Sequence, residues 1–97
     1  MAKKEQLLSK ELIVASEIYR LSEIENTKVY FTKLVDILSK KRKASAATIN
    51  KSMDILFDLG MIYADWEKLE NGRWARVLKI AGESKDFIKG IYEETHE

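Results

Sequence analysis

The chain has 97 residues, with 17 Lys and Arg, 16 Asp and Glu, no Cys and no Pro. A length of this kind supports a single domain over 1–97, and 45% hydrophobic with 34% charged residues fits a folded soluble chain, not a disordered tail. Missing cysteines exclude disulfides and thiolate chemistry and fit a reducing cytoplasm; no apolar run approaches the roughly 20 residues of a membrane span, and the start Met1-Ala2-Lys3-Lys4-Glu5 lacks the apolar core of a signal peptide.

The first predicted element is a long helix over 4–25, a stretch free of Gly and Pro. Leu7, Val14, Ile18 and Leu21 fall on one stripe at helical spacing, and Leu8, Leu12, Ala15 and Tyr19 fall on a second. The apolar surface is wider than the usual core stripe of about 100°. Asn26-Thr27 ends the helix, and Val29-Tyr30-Phe31 is a short β-prone patch. Thr32 is the expected N-cap of a second helix carrying Leu34, Val35, Ile37 and Leu38. Ser39 to Ala44 reads as a polar connection, and Ser45 as the N-cap of a third helix from about Ala46 to Leu59. Ile49, Met53 and Leu56 form its inner face, and Gly60 suits the left-handed residue that stops a helix.

From Met61 the period changes to two, which predicts a β-hairpin around Asn71-Gly72. A two-residue loop would pair Trp66 with Val77 and split the apolar residues between the faces. A three-residue loop, Glu70-Asn71-Gly72, puts Ile62, Ala64, Trp66, Leu78 and Ile80 on one face, so we take that register and place Trp66 on the core side. Trp74 is either a packing cap or an exposed aromatic. A last helix follows, from Gly82 or Glu83 to Thr95, with Phe87, Ile88, Ile91 and Tyr92 apolar.

Helix, short strand, helix, turn, capped helix, hairpin and helix make a mainly α fold with a small β-hairpin. The run Ser45-Ala46-Ala47-Thr48-Ile49-Asn50-Lys51-Ser52-Met53-Asp54, followed by Leu56, Gly60, Met61 and Ile62, resembles the recognition helix of winged helix-turn-helix transcriptional regulators. Tyr63 to Ile80 looks like their wing, and the flanking helices are similar to those of dimeric MarR-like and PadR-like regulators. The chain departs from that pattern in a longer, more basic turn before the third helix and in the extra apolar residues Ile55, Phe57 and Leu59.

The charge pattern agrees with this resemblance. Residues 28–51 hold seven Lys and Arg against Asp36 alone, a net +6, in a chain whose formal net charge is +1. A recognition helix meets base edges with its N-terminal residues. Ala46 and Ala47 would permit close approach, Asn50 can bond adenine bidentately, Lys51 can reach guanine or phosphate, and Thr48 can contact either from the side. Ser45 and the run Lys40, Lys41, Arg42 and Lys43 stand where helix amides and cations favour phosphate, with Lys28 and Lys33 extending the footprint. On the wing, Arg73 and Arg76 either enter a minor groove or pair with Glu70 and Glu67 across the hairpin.

Leu8, Leu12 and Tyr19 of the first helix, with Ile88 and Tyr92 of the last, are the apolar residues expected to meet a second copy. The expected protein is therefore a cytoplasmic homodimer that binds double-stranded DNA in a sequence-specific manner, without a membrane partner. The alternative is a winged-helix protein–protein module within a larger nucleic-acid-associated complex. His96 is the sole histidine, and no His/Cys/carboxylate cluster has metal spacing. No catalytic constellation, cofactor or metal site is expected, and nothing polar and convergent points to a small-molecule effector.

Overall fold

The computed structural model describes residues 9–41 and 45–95. Helix α1 spans Ser9–Tyr19 and runs on without a break through a π-helical stretch, Arg20–Ile24. The widened turns close with Glu25 N–H donating to the Arg20 carbonyl at 2.8 Å and Thr27 N–H to that of Leu21 at 2.9 Å. The Ser22 hydroxyl bonds the Ile18 carbonyl at 2.7 Å, within the transition. Asn26, at φ 53°, then turns the chain out of the helix, in the left-handed region that Asn tolerates better than most residues.

Val29 forms an isolated antiparallel bridge with Leu78, whose N–H donates to the Val29 carbonyl at 2.6 Å. Helix α2 follows at once, Phe31–Lys40, so Tyr30, still extended at φ −131°, is its N-cap. Thr32 is therefore not the cap: the bridge brings the chain to the helix start two residues earlier than a Thr32 cap would. Ser39 and Lys40 belong to α2 and not to the connection; Lys40 completes an i,i+4 ion pair with Asp36 at 3.2 Å.

Helix α3, Ala46–Asp58, begins as expected, with the Ser45 hydroxyl accepting from Thr48 N–H at 3.3 Å. Gly60 lies at φ 70°, where a Cβ would be strained, and lets Met61 N–H donate back to the Leu56 carbonyl at 3.0 Å. Strands β1, Ile62–Lys68, and β2, Trp74–Ile80, pair antiparallel with Ile62 opposite Ile80 and Trp66 opposite Arg76. This is the register of the three-residue loop. Gly72 is left-handed at φ 86°, and Leu69 N–H closes the turn on the Arg73 carbonyl at 2.7 Å. A short 3-10 turn, Gly82–Ser84, leads into α4, Lys85–Thr95.

The core lies between α1, α3, α4 and the base of the hairpin. Val14, Ile18, Leu21, Val29, Leu34, Leu38, Ile49, Leu56, Met61, Ile62, Leu78 and Ile88 are buried in it. The broad apolar surface of α1 is divided: α3 packs on one side and α4 on the other. Two of the residues expected at a dimer face lie inside the single chain. Tyr19 and Ile88 are buried within the single chain, 7% and 0% exposed, and the Tyr19 ring stands 5.3 Å from that of Tyr92. Leu12 and Tyr92 remain half-buried, and Leu8 lies outside the described residues. Trp66 also differs from expectation: the register puts it on the face of Ile62 and Leu78, yet it is 66% exposed. The hairpin extends past the helices, so the face that is core at its base is bare further out.

Candidate nucleic-acid interface

The inner side of α3 is fixed by Ile49, Ser52, Met53 and Leu56, all buried. Helical periodicity then turns Ala46, Ala47, Asn50, Lys51 and Asp54 outward, and all five are exposed. Thr48 is half-buried and its hydroxyl oxygen accepts from Ser45 Oγ at 3.1 Å, so it is engaged in the cap and not directed away from it. The first two turns of α3 therefore present two small residues, an amide and an ammonium on one surface. Asp54 follows one turn later and adds a negative charge there.

The cations ahead of α3 are less free than their number suggests. Lys40 Nζ lies 3.2 Å from Asp36, both exposed. Lys41 Nζ lies 3.8 Å from Glu17, a buried carboxylate that also accepts from Arg20 Nε at 3.1 Å. The hydrogen bond that Arg20 donates to Glu17 raises the Arg20 pKa above its ordinary value. Glu17 thus ties the end of α2 to α1. Arg42 and Lys43 lie outside the described residues.

The outer end of β1 is tethered to the segment just before α2 by Lys28. Lys28 Nζ donates to the Lys68 carbonyl at 3.3 Å and meets Glu67 Oε1 at 3.3 Å. Lys33 Nζ in turn donates to the Lys28 carbonyl at 3.4 Å. An open groove between α2 and the hairpin turn is lined by Lys28, Lys33, Lys68 and Asn71, among others. Hydrogen bonds from Lys79 and then Lys28 hold the Glu67 carboxyl below the usual carboxylate range, and Glu67, then Asp65, raises the Lys79 ammonium. Glu67 is thereby committed to lysines. Arg73 and Arg76 form no ion pair among the described residues; the Arg76 guanidinium sits 6.0 Å from the centre of the Phe57 ring on α3. Trp74 is 63% exposed, which resolves it as an exposed aromatic.

Among the described residues no group of three or more His, Cys, Asp or Glu is gathered to hold a metal ion, and no helix is long and apolar enough to cross a membrane.

Helix, bridge strand, helix, turn, capped helix and hairpin together define the winged helix-turn-helix fold. No known family profile matches the chain, and no curated protein sequence is similar to it. Solved structures do match. The circadian clock associated protein Pex from anabaena superposes with a TM-score of 0.68 at 21% identity, over 88% of this chain and 75% of that one. F-93 of SSV1 gives 0.68 at 18% identity, over 93% and 89%. Pex from Synechococcus sp. strain PCC 7942 gives 0.63 at 23% identity, over 93% and 84%. At these identities the likeness is one of fold.

Proposed function

We propose that this chain is a small, non-enzymatic winged-helix transcriptional regulator of the MarR-like or PadR-like kind, one domain per chain, which binds double-stranded DNA in the cytoplasm with sequence preference. The observation that carries this reading is the exposed first half of α3, where Ala46, Ala47, Asn50 and Lys51 share a surface capped by Ser45. Such a helix end enters a major groove with its small residues against the base edges, Asn50 on adenine and Lys51 on guanine or phosphate. Lys40, Lys41, Arg42 and Lys43 supply phosphate attraction beside it, and Arg73 and Arg76 do so from the wing. The chain acts as a homodimer reading two half-sites about 34–36 Å apart. Its interface draws on Leu8, Leu12 and Tyr92, since Tyr19 and Ile88 are spent in the core.

Titration of labelled duplex DNA at several salt concentrations tests the reading. Affinity should fall linearly with the logarithm of salt. Absent binding at low salt, or affinity indifferent to salt, overturns it. Selection of bound sites from random duplexes should return a preferred sequence, and Asn50→Ala should alter that preference. Sedimentation should give twice the chain mass.

A second reading, a protein–protein module, draws on the far end of α3, where Leu59 is 41% exposed beside the half-buried Phe57. A stoichiometric protein partner lost on Leu59→Asp, with no duplex binding, would favour it.

A further inference from the structure

The register of the hairpin sorts its side chains by parity. Trp66 pairs with Arg76 and Lys68 with Trp74, so the even-numbered residues of both strands share one face. At the base of that face Ile62, Leu78 and Ile80 are buried. Its outer half carries Trp66, Lys68, Trp74 and Arg76, all exposed. The opposite face holds Asp65, Glu67 and Lys79, whose charges are spent on one another: Lys79 meets Glu67 at 2.7 Å and Asp65 at 3.3 Å. One face of the wing is therefore aromatic and cationic, and the strand acids lie on the other.

We propose that this outer face is a stacking platform for unpaired nucleobases, through which the chain binds single-stranded nucleic acid. Two indoles on one face, each about two-thirds exposed, are a costly feature for a chain this small to leave bare. Trp66 and Trp74 are diagonal neighbours across the strand pair, positions about 7–8 Å apart. That is close to twice the roughly 3.4 Å rise per base along the axis of a stacked strand, so two rings at this interval suit neighbouring or sandwiched bases. Lys68 and Arg76 on the same face, with Arg73 at the end of the turn, have no carboxylate partner among the described residues and provide the charge that phosphates between those bases require. Arg76 is steadied by the Phe57 ring at 6.0 Å. Bases inside a duplex are already stacked on both sides and offer no free ring face, which selects unpaired strands. The platform uses residues separate from the first half of α3 and does not depend on duplex recognition there.

Trp66 and Trp74 are the two tryptophans of the chain, so emission excited to the red of the absorption of its four tyrosines reports on this face. The full-length chain is titrated at low salt with an oligothymidylate of about 12 nucleotides, with a duplex of equal length, and with polyglutamate. The single strand should quench the emission strongly, the duplex, whose phosphates meet only Arg73 and Arg76 on this face, clearly less, and polyglutamate not at all. Trp66→Ala and Trp74→Ala should each weaken single-strand binding between about fivefold and about a hundredfold, and Trp74→Phe should restore most of the loss. Both sites are exposed, so circular dichroism melts should match the parent chain. No quenching by the single strand, equal or stronger quenching by the duplex, or quenching by polyglutamate overturns the proposal. Duplex binding through α3 is followed separately by anisotropy with Asn50→Ala and Lys51→Ala, so either activity can fail without the other.

Discussion

Two cationic regions flank α3, and they differ in how their charge is held. At the end of α2, Lys40 faces Asp36 and Lys41 faces the buried Glu17. On the outer wing, Lys68, Arg73 and Arg76 face no carboxylate among the described residues, because the acids of the strands point to the other side and are taken by Lys28 and Lys79. The first region contains most of a basic run that is plain in the sequence. The second is interleaved with Asp65, Glu67 and Glu70 and looks neutral on a linear count. Counting charge along a chain locates where a field originates, but partner geometry decides how much of it a polyanion meets.

The largest test of this contrast removes what holds both regions to one body. Leu56, on the inner face of α3, is fully buried. Leu56→Ala should cost about 2–5 kcal/mol of unfolding free energy, read by denaturant titration, and should weaken duplex binding by helix and wing together. Unchanged stability would mean that α3 is not the common support.

Paired substitutions then separate the two regions. Arg73→Ala with Arg76→Ala should lower the slope of log affinity against log salt for duplex DNA by about 2, since each arginine neutralises one phosphate. Lys40→Ala with Lys41→Ala should lower it by less, since these lysines already share their charge with Asp36 and Glu17. Equal changes would show that intramolecular partners do not discount the turn.

Smaller effects probe the geometry on either side. Ser45→Ala removes the hydroxyl that accepts from Thr48 N–H and should cost about 1 kcal/mol in a thermal or denaturant melt, with a matching loss of order at the α3 N-terminus. On the wing, the Glu67 carboxyl is held low by Lys79 and Lys28. A depressed carboxyl contributes stability that is fully present above its unfolded value and is lost as pH falls through the lowered one. Acidification through that window should loosen the tether between α2 and the wing. The change is readable in the emission of the adjacent Trp66, and Lys28→Ala should diminish it. Emission that is flat through the acid range would mean the tether does not set the position of the wing.

Much of the fold was readable from local chemistry. Ser45 as a cap, Gly60 and Gly72 as left-handed stops, and the three-residue turn all depend on neighbours within a few residues, and each is found where the pattern puts it. The inward face of α3 follows from helical spacing alone, so the outward set of Ala46, Ala47, Asn50 and Lys51 was legible as well. Other expectations failed where distant segments intervene. Thr32 lost the cap to Tyr30 because Val29 is bridged to Leu78. Tyr19 and Ile88 are apolar residues without an obvious partner in a linear reading, yet α1 and α4 bury them against this one chain.

The sequence by itself determined the order of elements, the hairpin register and the exposed residues of α3, because backbone dihedral preference and side-chain period act over a few residues. Tertiary structure alone decided that Trp66 stands in solvent on a core-type face, that Lys28 reaches Glu67 and the Lys68 carbonyl, and that Glu17 claims Lys41. Those outcomes depend on how far the helices extend beneath the hairpin and on which opposite charges folding brings within a few ångströms. Coulomb attraction and burial depend on distance through space, which spacing along the chain does not encode.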